Sequence, residues 1–383
     1  MNDDHQAGPD RLPPPLLPAA APASRPPRIL TLGWVRSAAP ALPPRPRYGL
    51  ALLLFGLTFF CTTTLGPVLC AWSRNGLPPD LVPLLTPDLV ARVWGDSALL
   101  RLGLSFSLPV LAILLIHEMG HYIACRHYRL PSTLPYFLPL PAVLGTLGAF
   151  IRIRVPMRSK RELFDVGIAG PLAGFAALLP FLLIGIAKSQ PAPLRLEPGA
   201  SLLVPGQCLA MELATRYFHG RLAEGMVLHL HPFALAAWFG LLATAINLLP
   251  LGQLDGGHIL YAVAGRWQRR LALPLWVALA LAGVLWGGWV LWCVIVFMMG
   301  LYHPPVVDET IPLDPRRRAL AGVALLILAL SFVPRGATEP VAGEPAPPPA
   351  SRGAPAVALE LPAPAPGLPT GGNPPTVSFR ERS

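Results

Sequence analysis

The sequence predicts an all-α polytopic membrane protein, with about 6–7 transmembrane helices and a short re-entrant loop carrying a β-strand beside a polar centre. Three observations carry that prediction. Hydrophobic residues make up 53% of the 383 positions and charged residues only 13%, against about 25% charged in an ordinary soluble domain. The apolar residues fall in blocks, several of which reach the ~20 residues needed to cross a bilayer. Basic residues, which give a formal net charge of +10, gather between or beside those blocks, as the positive-inside rule expects.

Residues 1–48 begin acidic, are crowded with proline and lack a short apolar core with a cleavage site, so no signal peptide is expected. This arm and the Pro/Ala-rich tail 334–383 are expected to be disordered, leaving a membrane domain over 49–333. The runs 49–71, 99–124, 163–187 and 232–250 qualify as spans. The run 271–302 is too long for one helix and carries Gly287-Gly288 in its middle, so two short helices joined by a hairpin are expected. A last run, 318–333, follows Arg316 and Arg317. The loops 72–98 and 188–231 are read as connections.

Orientation follows from the basic residues. Arg36, Arg45 and Arg47 precede the first span, Arg126 to Arg161 follow the second, and Arg266, Arg269 and Arg270 follow the fourth. All lie on one side if the N-terminus is cytoplasmic. The Ala, Pro and Arg bias, without a transit-peptide pattern, points to a bacterial cytoplasmic (inner) membrane. The basic excess implies no nucleic-acid partner, since no basic face with exposed aromatics accompanies it. Five scattered cysteines without a CxxC exclude a disulfide framework and a thiolate zinc site.

The stretch 131–160 is apolar but broken by Pro131, Pro135, Pro139 and Pro141, so it cannot be a regular helix. Within it, "GAFIRIRV" alternates, with Ile151, Ile153 and Val155 on one side and Arg152 and Arg154 on the other, the period of a strand. Its edge could hold an extended peptide, which makes Gly148 and Ile151 candidate substrate-binding residues.

The second span ends in "HEMGH", 117–121. Ionisable residues are costly in an apolar helix and persist when they pair, bind an ion or line a wet cavity. His117 and His121, four apart, project from nearly one face and can chelate one zinc ion, while Glu118 can take a proton from attacking water. A catalytic zinc site needs a third protein ligand. His127 has the spacing of a soluble metzincin ligand, but that motif needs glycine where this chain has Ala124. Asp255, at the cytoplasmic end of another span and followed by Gly256-Gly257, is favoured over it.

With "HEMGH" at 117–121, "NLLPLGQLDGG" at 247–257, "GTLGAFIRIR" at 145–154 and "FDVGIAGPLAGF" at 164–175, the chain resembles the site-2 protease family of intramembrane zinc metalloproteases. The last two stretches and "HPPVVDE" at 303–309 look most like the branch of plant plastid members and their bacterial relatives. The resemblance implies one Zn2+ per chain held by His117, His121 and Asp255, with Glu118 as the catalytic base. It also implies Asn247 in substrate orientation or oxyanion stabilisation; an interhelical hydrogen bond is the other reading of Asn247. The implied partners are membrane proteins with a transmembrane segment, cut near the cytoplasmic face, within the lipid bilayer. The chain departs from the family in its Asn247-Leu248 step, with the proline at 250, and in having no room for a PDZ insertion and no CBS pair.

A catalytically silent client-binding relative is disfavoured by the intact Glu118 and ligand set. A transporter would spread ionisable residues along several spans rather than gather them at two ends. Gly170 and Gly174 read as a small-xxx-small packing pair, Asp165 as a helix N-terminal charge partner, and His219, His229 and His231 as surface residues. His258, after the double glycine, reads as a loop residue, with support of the ligands from behind as the other reading. His303 belongs to the resemblance, with no physical account from the sequence.

Overall fold

The computed structural model describes residues 47–75, 84–142, 144–193, 208–223, 225–285 and 288–333. The predicted arms lie outside these residues, except for Arg47 and Tyr48. Among the described residues, helices dominate, with two small two-stranded antiparallel sheets.

Helix α1 (Tyr48–Asn75), α3 (Ser97–His127) and α4 (Lys160–Lys188) are long and apolar enough to cross a membrane. Helix α6 (Pro232–Asn247) and the apolar part of α9 (Gly288–Met299) are shorter. At ~1.5 Å per residue α6 covers less than the ~30 Å hydrocarbon core. Outward-facing positions are apolar: Val284 is 85% and Met298 80% exposed, while Thr58, Thr62, Thr63 and Ser107 are buried. That inversion fits lipid as the outer solvent. The chain is an integral membrane protein.

The buried hydroxyls find partners nearby. Thr58, Thr62 and Thr64 each donate to the carbonyl four residues back at 2.8 Å, and Thr63 meets Ser107 across the α1–α3 contact at 2.8 Å. There Gly66 and Gly103 let the two backbones touch, since a side chain on Gly103 would strike the Thr63 carbonyl.

The connection before α3, where the sequence predicts only a loop, holds the helix α2 (Pro87–Gly95). Thr86 caps it, accepting from Leu89 N–H at 3.2 Å, and Pro87 sits at its first position. Asp96 then ends α2 and caps α3, accepting from Ala98 N–H at 2.7 Å.

After α3 the chain forms the hairpin of β1 (Tyr136–Pro139) and β2 (Thr146–Phe150), pressed on α1 through buried Phe137. The predicted strand is therefore shorter and earlier than expected. Beyond Phe150 the chain stays extended but pairs irregularly with 131–133: Thr133 N–H donates to Arg152 O and Arg154 N–H to Pro131 O, both at 3.1 Å. Proline there removes regular ladder donors. Ile151 and Ile153 face inward as expected, but Val155 is exposed, because the alternation stops where the chain turns toward α4.

Ser159 caps α4, accepting from Glu162 N–H, while the Glu162 carboxylate accepts from Arg158 N–H at 2.9 Å. Helix α4 is central, packing on α3, α6 and α7 (Asp255–Ala264). The supposed loop 188–231 contains β3 (Gln190–Pro193), α5 (Leu209–His219) and β4 (Met226–His229). Its histidines are half-buried rather than surface residues. His219 donates to Ile186 O at 2.7 Å, and His231 caps α6 by accepting from Phe233 N–H. The expected hairpin over 271–302 is α8 (Trp267–Leu285) packed on α9, joined by Trp276 Nε1–H donating to Cys293 O at 3.0 Å.

Helix α10 (Pro315–Ser331) returns across α4 and α6. Asp165, near the start of α4, has more specific partners than the helix end. It accepts from Arg317 Nε at 2.8 Å and also from Tyr128 OH, while Asp314 takes the other side of the guanidinium. The four groups tie the end of α3, the start of α4 and the start of α10 together. Replacing Arg317 by Met is expected to destabilise the protein by about 1.5–3 kcal/mol, the usual worth of a hydrogen bond to a charged group. A thermal unfolding midpoint in detergent lowered by several degrees checks it, and an unchanged midpoint contradicts it.

Candidate metal centre

His117, Glu118 and His121 occupy the last turns of α3 and are all buried, the two imidazoles against α4. The His121 ring is fixed by a 2.7 Å hydrogen bond from Nδ1–H to the Val166 carbonyl of α4. A carbonyl can only accept, so Nδ1 carries the proton and Nε2 presents a lone pair.

Helix α4 makes room for these rings by omitting side chains. A Cβ on Gly170 would overlap the His121 imidazole, and one on Gly174 would stand 2.9 Å from His117 Nδ1. The small-residue spacing does serve packing, but what it packs against is the pair of imidazoles. The signal was present in the sequence: 117/121 and 170/174 have the same spacing and so can face each other turn for turn.

Asp255 arrives from the other side. Helix α6 stops at Asn247, and a tight turn over 248–254 leads into α7, whose first residue is Asp255. A helix stands here, not the expected plain turn, and it includes His258. Gly256 and Gly257 have no space for a side chain, because the carbonyls of Leu248, Leu251 and Gly252 lie directly over them. The close backbone approach expected of this glycine pair is therefore observed.

The three donor atoms meet. Asp255 Oδ2 lies 3.3 Å from His117 Nε2 and 3.2 Å from His121 Nε2, and the two Nε2 atoms are 3.2 Å apart. Ligand atoms ~2.0 Å from one tetrahedral zinc lie ~3.3 Å from each other, so two imidazoles and one carboxylate at these spacings fit such an ion. His127 is exposed at the end of α3 and outside the cluster; the structure brings Asp255, and not His127, to the two rings.

The neighbours divide less evenly. Asn247 Nδ2 is 3.3 Å from His117 Nε2, so it borders the cluster. The backbone amide of Ile151 faces the Glu118 carboxylate, whereas its side chain turns into an apolar group with Cys125, Leu130 and Val166. Gly148 has φ +107° and open space around it.

Sequence reasoning missed the surroundings of α7. His258 Nδ1 lies 2.8 Å from His303 Nε2, and Tyr261 stacks on His303 with ring centroids 4.6 Å apart. Tyr261 donates to Glu309 Oε1 at 2.6 Å. Burial and that hydrogen bond push the Tyr261 phenol up to about 12, so it remains a donor at neutral pH.

Residues 105–285 match Peptidase family M50. The chain is 32% identical over 315 residues to "Probable zinc metalloprotease EGY1, chloroplastic" of Oryza sativa subsp. japonica, an alignment covering 75% of this chain and 50% of that protein. The protein of the same description in Arabidopsis thaliana is 32% identical over 312 residues, covering 75% and 53%. "Probable zinc metalloprotease EGY2, chloroplastic" of Oryza sativa subsp. indica is 33% identical over 255 residues, covering 65% and 45%. The chain spans about half the length of the curated relatives it matches.

The glycine contacts give a graded expectation. Gly170→Ala, whose methyl would overlap the His121 ring, is expected to weaken metal binding by about 10–100-fold, the range for disturbed ligand support. Gly174→Ala, which meets His117 less closely, should lose less. Metal content after titrated chelation measures both, and equal retention in the two variants contradicts the reading.

Proposed function

We propose that this chain, which through residues 105–285 belongs to peptidase family M50, the site-2 proteases, is an intramembrane zinc endopeptidase acting on membrane proteins near the ends of their transmembrane segments. The observation that carries the proposal is the convergence of His117 and His121 of α3 with Asp255 of α7 at zinc-compatible spacing, one residue from a buried carboxylate. In this reading the three are the ligands of one Zn2+, and Glu118 is the catalytic base. The names of the similar plant proteins, as zinc metalloproteases, support the choice of metal.

Zinc, when bound, supplies Lewis acidity: it makes water acidic enough to ionise near neutral pH and polarises a peptide carbonyl. Glu118 takes the proton of the attacking water as the C–O bond forms, and delivers it to the departing amine as the C–N bond breaks. The products are a carboxylate and an amine, and Glu118 is regenerated. Asn247 can donate its side-chain N–H toward the carbonyl oxygen on which negative charge develops. The apolar packing around α3 and α4 keeps competing water few, which strengthens each of these interactions.

A helical substrate hides its amides and must unwind first. The β2 edge and the extended backbone through Ile151 offer main-chain partners for an unwound segment, and the open φ-positive Gly148 leaves space beside it. The catalytic unit in this reading is 49–333, surrounded by the lipid bilayer and flanked by the two Pro-rich arms.

The cytoplasmic placement of the site and a bacterial inner membrane rest on the arginine distribution and on composition; the relatives' names are chloroplastic. Alkaline phosphatase fused after Tyr48 is expected to be inactive in a bacterial host, and active when fused after Lys188. The reverse pattern would invert the proposed orientation.

The activity is tested on protein purified in detergent and in the membranes of expressing cells. The parent is expected to hold one zinc per chain and to generate client fragments. Glu118→Gln should keep the metal while cutting falls by ~10²–10⁴-fold, the usual contribution of a general base. Asp255→Asn should lose both. Identical membrane fragments from parent and Glu118→Gln would refute the protease reading.

A further inference from the structure

His303 is buried at the foot of α9, between a φ-positive Gly300 and Pro304-Pro305, and the chemistry above gives it no part. Its surroundings explain its burial. The carbonyl of Pro304 accepts from His303 Nδ1–H at 2.5 Å, which fixes the proton there and leaves Nε2 as an acceptor. That acceptor takes the Nδ1–H of His258 at 2.8 Å. The bond therefore runs in one direction, from α7 into the loop.

His303 is the middle of a longer grip. Ahead of Asp255, Gly252 N–H donates to Leu301 O at 3.1 Å. One turn after Asp255, His258 meets His303; one turn further, Tyr261 stacks on the same ring and donates to Glu309. Asp255, His258 and Tyr261 are spaced by three, so they share a face of α7. The segment is itself anchored. Gln268 bridges it, with Nε2 donating to Leu301 O at 3.1 Å and Oε1 accepting from His303 N–H at 3.3 Å. Further on, Val307 and Asp308 N–H donate to Met157 O and Arg158 O, just ahead of α4. One segment thus joins the helix that bears Asp255 to the start of the helix that seats both imidazoles.

We propose that residues 300–309 form a strap that sets Asp255 against His117 and His121, with His303 as a positioning residue acting through His258. The inference rests on the metal-site reading above. Asp255 is the one member of the trio supplied by a short helix after a tight turn, so the angle of α7 decides whether its carboxylate reaches the rings. His258 is held from both sides, its Cβ against Gly167 of α4 and its ring against His303, and this fixes that angle.

The test uses full-length protein in detergent and zinc affinity measured by competition with a chromophoric chelator. His303→Leu is expected to bind zinc about 10–100-fold more weakly, as loss of outer support for a ligand does. His303→Gln, whose amide oxygen can accept from His258, should recover most of that loss. The double variant His258→Leu/His303→Leu should lose no more than the worse single one, since both delete one interaction. The unfolding midpoint of the zinc-free forms should stay near the parent's. A His303→Leu protein that binds zinc as the parent does overturns the strap, as do Leu and Gln variants weakened alike. Should His303→Leu not be recoverable, Tyr261→Phe, which deletes the hydroxyl's bonds to Glu309 and to the Val306 backbone amide, must weaken zinc binding in the same direction; unchanged affinity overturns the proposal. A parent that takes up no zinc refutes the metal site itself, which separates the two failures.

Discussion

Two imidazoles and a carboxylate, buried together among apolar helices, set the terms for everything around them. Each would be costly alone in such a place. Together, at 3.2–3.3 Å, they form a donor set that a single divalent cation satisfies. The fold answers that demand with specific omissions and supports: no side chain at Gly170 or Gly174, a carbonyl at Val166 for the far nitrogen of His121, and a turn at 248–254 tight enough to bring α7 under α3.

The division of labour among helices follows. Helices α1, α3 and α4 are the long apolar elements, and they define the membrane body. Helix α6 is nearly all buried and ends at the depth of the cluster, which lets an irregular turn exist there without facing lipid. Beyond it, α7 and the segment 300–309 act on the site from outside the main bundle. Following that segment, the Tyr128–Asp165–Arg317–Asp314 group fastens the start of α10 to the end of α3 and the start of α4.

Much of the centre was legible in the sequence, for physical reasons that can be named. His117, Glu118 and His121 stand out because an apolar helix gives them no other purpose, and Asp255 because two following glycines announce a crowded backbone. The long spans follow from hydropathy alone. Helix α2 and the elements within 188–231 were not legible, since they are short and only partly apolar, and caps such as Thr86 decide them locally. The β2 strand was misplaced because alternation continues through Ile153 while the pairing partner changes from β1 to 131–133. The His258–His303 bond could not be read, because it depends on how a proline-rich loop returns beneath α7.

The bare face of α4 also bears on how the site meets its ion. Rings seated against backbone, with no intervening side chain, have few rotamers left to surrender when a cation arrives. Much of the ordering entropy of ligand capture is then spent at folding and not at loading. Affinity in such a pocket comes from rigidity as much as from the donors themselves, so even a single methyl placed on that face acts as a lever on metal retention.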